Sequence, residues 1–236
     1  MSFLIAVHVN EGMVLASDRR TTYTNTQTVG ETVVKRIGVH ITDSTDKTFI
    51  CPNGAGISTC GDASLLGKPI TGYIQNMIRL RISEDCNIEE MPSIIIDYFN
   101  SLDEVPDTNF IVAGYDKSES EKHQVLFKLN VKNRNVERIS TDSQGATWDG
   151  ETYTLTRLIQ NVAVKNGEAN YTDLPYESIL WGYFTLQDAI DFARYAVETT
   201  IQTMRFKNVV ETVGGNVDIL VITPDETKWL QKESLK

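Results

Sequence analysis

Cysteine is scarce. The chain holds three, Cys51, Cys60 and Cys86. That odd number, with no C-x-x-C spacing, supports neither a disulfide framework nor a zinc knuckle. His8, His40 and His123 are scattered without metal-ligand spacing, and there is no glycine-rich phosphate loop. No metal and no cofactor are therefore expected. No apolar run approaches the ~18 residues of a membrane span. The opening stretch MSFLIAVHVNEG lacks a basic region and a small-residue cleavage site, so it does not read as a secretory signal. The expected location is cytoplasmic, with reduced thiols. Positive charge is in deficit: 22 Lys and Arg against 32 Asp and Glu leave a net charge of −10. Such a chain repels phosphate backbones and gains nothing from anionic lipid, so neither nucleic acid nor a membrane is an expected partner. No linker rich in Pro, Gly or Ser and no internal repeat divides the chain, and residues 1–236 read as one domain.

What is present is ordinary globular sequence, 41% hydrophobic and 23% charged, which argues against disorder. Phe3 to Val9 and Met13 to Ser17 read as a hairpin. Its turn, Asn10-Glu11-Gly12, is expected to place Gly12 at positive φ. Pairing Val9 with Met13 would set Leu4 opposite Asp18 and make Ser2 and Asp18 diagonal neighbours on one face. Thr48 to Cys51 and Ala55 to Cys60 read as a second strand pair around Pro52-Asn53-Gly54. Leu66, Ile70, Tyr73, Ile74, Met77 and Ile78 recur at helical spacing, with Pro69 in the first turn or at a kink. A helix over 89–101 follows. Further strands are expected at 110–113, 124–129 and 136–140, then a helix over 151–165. The polar stretches 117–122 and 164–171 read as loops. Thr185 and Asp188 resemble a capping box, opening a helix whose apolar stripe runs from Leu186 to Met204. The last expected strand is 218–223. Blocks of helices between blocks of strands argue for packed layers rather than βαβ units. An α+β four-layer αββα sandwich is one of several topologies that satisfy this order.

Four motifs carry a family resemblance. Gly12 to Thr22, with Asp18 inside it, resembles the N-terminal signature of proteasome β-type subunits, which belong to the N-terminal-nucleophile (Ntn) hydrolases. Gly61-Asp62-Ala63, Gly114-Tyr115-Asp116 and Gly214-Gly215 followed by an apolar strand resemble later family motifs in the same order. The resemblance spans nearly the whole chain and implies the αββα sandwich. It also implies a hydrolase that cleaves peptide or amide bonds, a homo-oligomeric ring and an ATPase partner.

The resemblance assigns roles residue by residue. The nucleophile matches Ser2, exposed once Met1 is removed. Its own α-amine, with an ordinary pKa of about 7.7–8.0, serves as base. Asp18 matches the signature aspartate. The family lysine matches Lys47 or Lys35, and Lys47 better suits a strand start. The backbone N–H at Ser58 matches the oxyanion donor, and Thr22, Ile57 and Cys60 match substrate-binding positions. The chain departs from the family later on. Where active members carry serine in a turn, this chain has Gln144 to Gly150, with Thr147 as the candidate hydroxyl substitute. Val210 and Val213 replace an Asp and a Ser, with Glu211 and Thr212 adjacent. Two other readings therefore stand beside the hydrolase: a catalytically silent assembly or binding protein, and a small-molecule amidase.

Overall fold

A computed structural model describes residues 2–29, 32–116 and 122–233. Its strands are β1 (Phe3–Val9), β2 (Gly12–Asp18), β3 (Thr21–Val29), β4 (Thr32–Thr42), β5 (Thr48–Ile50), β6 (Gly56–Gly61), β7 (Ser64–Leu65) and β8 (Lys68–Pro69). Helices α1 (Ile70–Arg81) and α2 (Met91–Asn100) follow. The second half holds β9 (Thr108–Asp116), β10 (His123–Asn130), β11 (Asn135–Ile139), β12 (Gly145–Gly150) and α3 (Tyr153–Ile159). It closes with β13 (Ala163–Asn166), β14 (Asn170–Asp173), α4 (Leu186–Arg205), β15 (Val217–Ile222) and β16 (Thr227–Gln231).

Two five-stranded sheets organise the core, ordered β12-β1-β2-β15-β16 and β11-β10-β9-β6-β5. Side chains alternate across a strand, and β1 shows the consequence. Phe3, Ile5, Val7 and Val9 join the apolar cluster under α4, while Leu4 and Ala6 join Ile111, Leu126 and Leu220 in another. All seven residues of β1 are buried, each large one contributing about 1.5–3 kcal/mol. Helices α1 and α2 cover the second sheet through Ile74, Met77, Ile95 and Phe99.

The four-layer αββα sandwich expected from the sequence is corrected by this arrangement. The structure is sheet-rich, 39% strand against 25% helix, with several antiparallel sheets and no clear four-layer stacking. Three two-stranded pairs stand apart from the large sheets: β3 with β4, β7 with β8, and β13 with β14. The expected 151–165 helix is only the seven-residue α3, because 163–173 pairs as a hairpin instead.

The first hairpin also differs in register. Val9 pairs with Gly12 and Leu4 with Ser17, so Asn10-Glu11 is a two-residue turn and Asp18 falls opposite Phe3. Gly12 is absent from the positive-φ glycines. It is needed for another reason: a Cβ there would lie 2.7 Å from the Ile222 carbonyl oxygen. In the same way, β16 adds an edge strand beyond the expected last strand. The stretch 117–121 lies outside the described residues.

Candidate active site

Asp18 ends β2, where the chain leaves the sheet. The amides of Arg19 and Arg20 both donate to the Gly214 carbonyl, at 3.0 and 2.9 Å, which fixes the exit. Asp18 is fully buried. Its carboxylate accepts from the backbone N–H of Phe3, Arg20 and Gly214, each at 3.0 Å, and from Lys47 Nζ at 2.7 Å. Four donors compensate a charge that water cannot reach. The carboxylate thus ties together β1, the exit of β2, the Gly214 turn and the segment before β5.

Lys47 is buried as well. Its ammonium also donates to the Arg20 carbonyl oxygen. Burial pulls its pKa below the ordinary lysine value, and the Asp18 carboxylate opposes that shift. Two arginines brace the segment. Arg19, itself buried, donates to Asp218 at 2.7 Å and to Asp46 at 2.9 Å, beside Lys47. Arg20 grips Asp43 through two nitrogens at 2.7 and 2.9 Å and Glu211 at 2.7 Å. Hydrogen bonds to these carboxylates hold its guanidinium in the charged form.

Ser2, Thr22, Lys47 and Cys60 line one cavity of about 30 Å³, together with Thr21, Thr45, Asp46 and residues 59–63 and 70–71. Four of the seven expected site residues therefore converge there, and Asp18 meets them through Lys47. Ser2 is held by its carbonyl oxygen, which accepts from Glu151 N at 2.8 Å. Gly150 makes this approach possible: its φ is +86°, and a Cβ there would lie 1.9 Å from that oxygen. Burial pushes the Cys60 thiol well above its ordinary pKa. It stays protonated at neutral pH and is a poor nucleophile.

Ser58 and Ile57 are not among the cavity walls. Ser58 Oγ bonds Thr48 Oγ1 at 2.8 Å, which bonds Ser17 Oγ at 2.9 Å, a buried hydroxyl chain linking β6, β5 and β2. Ile57 belongs to the apolar cluster under α1 and α2. The side chain of Lys35 lies outside the described residues. Thr147 sits within β12, opposite Ala6, away from the cavity. Val213 is buried in the cluster under α4. Among residues that sequence reading missed, Glu151 matters most. Its amide holds Ser2, and its Oε1 accepts from the buried Thr212 hydroxyl at 3.1 Å. No local pattern marks Glu151; only the β1–β12 pairing brings it to Ser2. Among the described residues no group of three or more His, Cys, Asp or Glu could hold a metal ion.

No family model matches the chain, and no curated protein matches it. Solved structures do. Anbu from Hyphomicrobium sp. strain MC1 is similar at a TM-score of 0.60 and 14% identity, over 98% of this chain and 88% of that one. A (Gly-1) mutant of the same protein gives 0.58 and 15%, over 99% and 86%. Anbu is a bacterial proteasome-like protein related to the Ntn hydrolases. At this identity the likeness shows a proteasome-like fold and nothing of activity.

Proposed function

We propose that this chain is a proteasome-like N-terminal-nucleophile hydrolase of peptide or amide bonds, working through Ser2. The observation that supports it best is the meeting of Ser2, Thr22, Lys47 and Cys60 at one recess, with Asp18 anchoring Lys47. Once Ser2 is the first residue, its free α-amine accepts the hydroxyl proton and Oγ attacks the carbonyl. The Lys47 ammonium favours the ionised nucleophile and the charge that develops. Asp18 keeps that ammonium in place. An oxyanion donor from the β6 backbone is expected at Ser58, and Thr22 holds the substrate backbone. By the same resemblance the chain assembles as a cytoplasmic homo-oligomeric ring, with an ATPase that delivers substrate. No described helix is long and apolar enough to cross a membrane.

The test is hydrolysis of acyl-aminocoumarin substrates by protein whose first residue is Ser2. Turnover that survives Ser2→Thr and disappears in Ser2→Ala and Lys47→Ala supports the reading. Turnover unchanged in Ser2→Ala overturns it. A second reading, a silent binding protein on the same scaffold, draws on Val210 and Val213. Val213 is committed to the apolar core, and Val210 faces a different cavity. That reading expects no turnover from any of these proteins.

A further inference from the structure

We infer that the hairpin of β13 and β14 is an assembly arm, and that it seats in the groove between α3 and the end of α4 on a second copy of this chain. The inference rests on the homo-oligomer proposed above and is independent of Ser2. The hairpin joins neither large sheet, and every residue from 163 to 178 is exposed. A two-stranded hairpin alone in water is marginally stable, and packing against another element is what holds one. This one carries Val164, Tyr171, Leu174 and Tyr176 into solvent, Tyr171 at 67%. Its charge is lopsided: Glu168, Asp173 and Glu177 stand against Lys165 across 163–177. Tyr171 and Asp173 share one face of β14, so an aromatic ring and a carboxylate are presented together.

The groove has the matching chemistry. It measures about 760 Å³, with Tyr153, Met204, Val209 and Val210 among its walls. Arg157 and Lys207 give it positive charge, and its one acidic wall, Glu151, is already bonded to Thr212. An apolar arm with excess negative charge and an apolar groove with excess positive charge are complementary. No residue of the arm lines the groove of its own chain, so the contact needs another copy. A reciprocal two-fold exchange gives each copy one seated arm and one filled groove, the size of a standard interface at about 20–30 residues a side.

The test is sedimentation velocity on the full chain and two charge-reversal variants. The arm variant carries Glu168→Lys, Asp173→Lys and Glu177→Lys; the groove variant carries Arg157→Glu and Lys207→Glu. All five positions are exposed, so thermal melts close to the parent's are expected. Each variant alone sets like charge against like charge and is expected to need at least about tenfold more protein to associate. An equimolar mixture restores opposite charges in both contacts, so association returns to the parent's level. Parent-like association of both variants overturns the contact of arm with groove, leaves the homo-oligomer standing and frees the groove for another occupant. A mixture as weak as its components overturns the pairing of arm with groove. A parent that is monomeric at all concentrations overturns the homo-oligomer and this inference together.

Discussion

Asp18 and Lys47 share a 2.7 Å ion pair with almost no solvent on either side. Removing one partner strands a buried charge, which costs about 3–5 kcal/mol. Lys47→Met is therefore expected to lower unfolding free energy by about 3 kcal/mol or more in urea titrations and to abolish labelling of Ser2 by a β-lactone. A variant as stable as the parent would mean that Asp18 is satisfied by its three backbone donors. His8 gives a separate residue-scale prediction. Its Nε2 donates to the Ser143 carbonyl at 2.9 Å, and its buried Nδ1 has no partner. Burial lowers its pKa below 6.5. The unfolded chain then binds a proton that the folded chain refuses, so stability falls as pH drops below about 6.5 until the folded pKa is passed. Urea midpoints measured from pH 7.5 to 5 check this, and His8→Gln is expected to flatten that slope. At this scale Asp18 could be singled out from its local signature, Ser2 only from its spacing to Asp18, and Lys47 only as one of two candidates beside Lys35. Arg19, Arg20 and Glu151 could not be, because their partners are far away in sequence: Asp218, Glu211 and the Ser2 carbonyl.

Among the elements, α4 shows how much a local pattern can reveal. The Thr185–Asp188 capping box forms in both directions, with Asp188 N on Thr185 Oγ1 at 3.2 Å and Thr185 N on Asp188 Oδ2 at 2.8 Å. The stripe buries Ala189, Ile190, Ala193, Val197 and Met204. Thr185→Ala is expected to cost about 1 kcal/mol of stability, read from urea midpoints, with little effect on labelling. The β1–β2 hairpin shows the opposite case. A one-residue difference in turn length moved Asp18 from opposite Leu4 to opposite Phe3, and sequence alone offers both turns. The β3–β4 ribbon went unread because Thr, Asn and Gln give 21–29 no apolar alternation. At the junction of β1 and β12, Gly150→Ala forces Ser2 away from Glu151. Labelling is expected to fall about a hundredfold, while the melting temperature falls by only a few degrees. Unchanged labelling would separate the clamp from the reactivity of Ser2.

Across the whole molecule, the residue before β1, the start of β3, the segment before β5, the end of β6 and the start of α1 meet around one recess, and that convergence makes a candidate site from residues scattered over the first third of the chain. The blocks of strands and helices were readable in the sequence, but the four-layer αββα expectation did not survive the short α3 and the separate ribbons. Large apolar side chains remain exposed on the isolated chain: Leu180 at 64%, Tyr183 at 83% and Phe206 at 84%. The homo-oligomer proposed above would cover surface of this kind. Sedimentation is accordingly expected to give a homo-oligomer, and a monomer of 26.5 kDa at all concentrations would contradict it. The central claim is that Ser2 is a working nucleophile. Intact mass before and after treatment with a β-lactone tests it most directly, on the parent protein and Ser2→Ala. We predict loss of Met1 and a single lactone adduct in the parent, absent from the variant. Protein that starts at Ser2 and takes up no lactone, or an adduct that persists in Ser2→Ala, would contradict it.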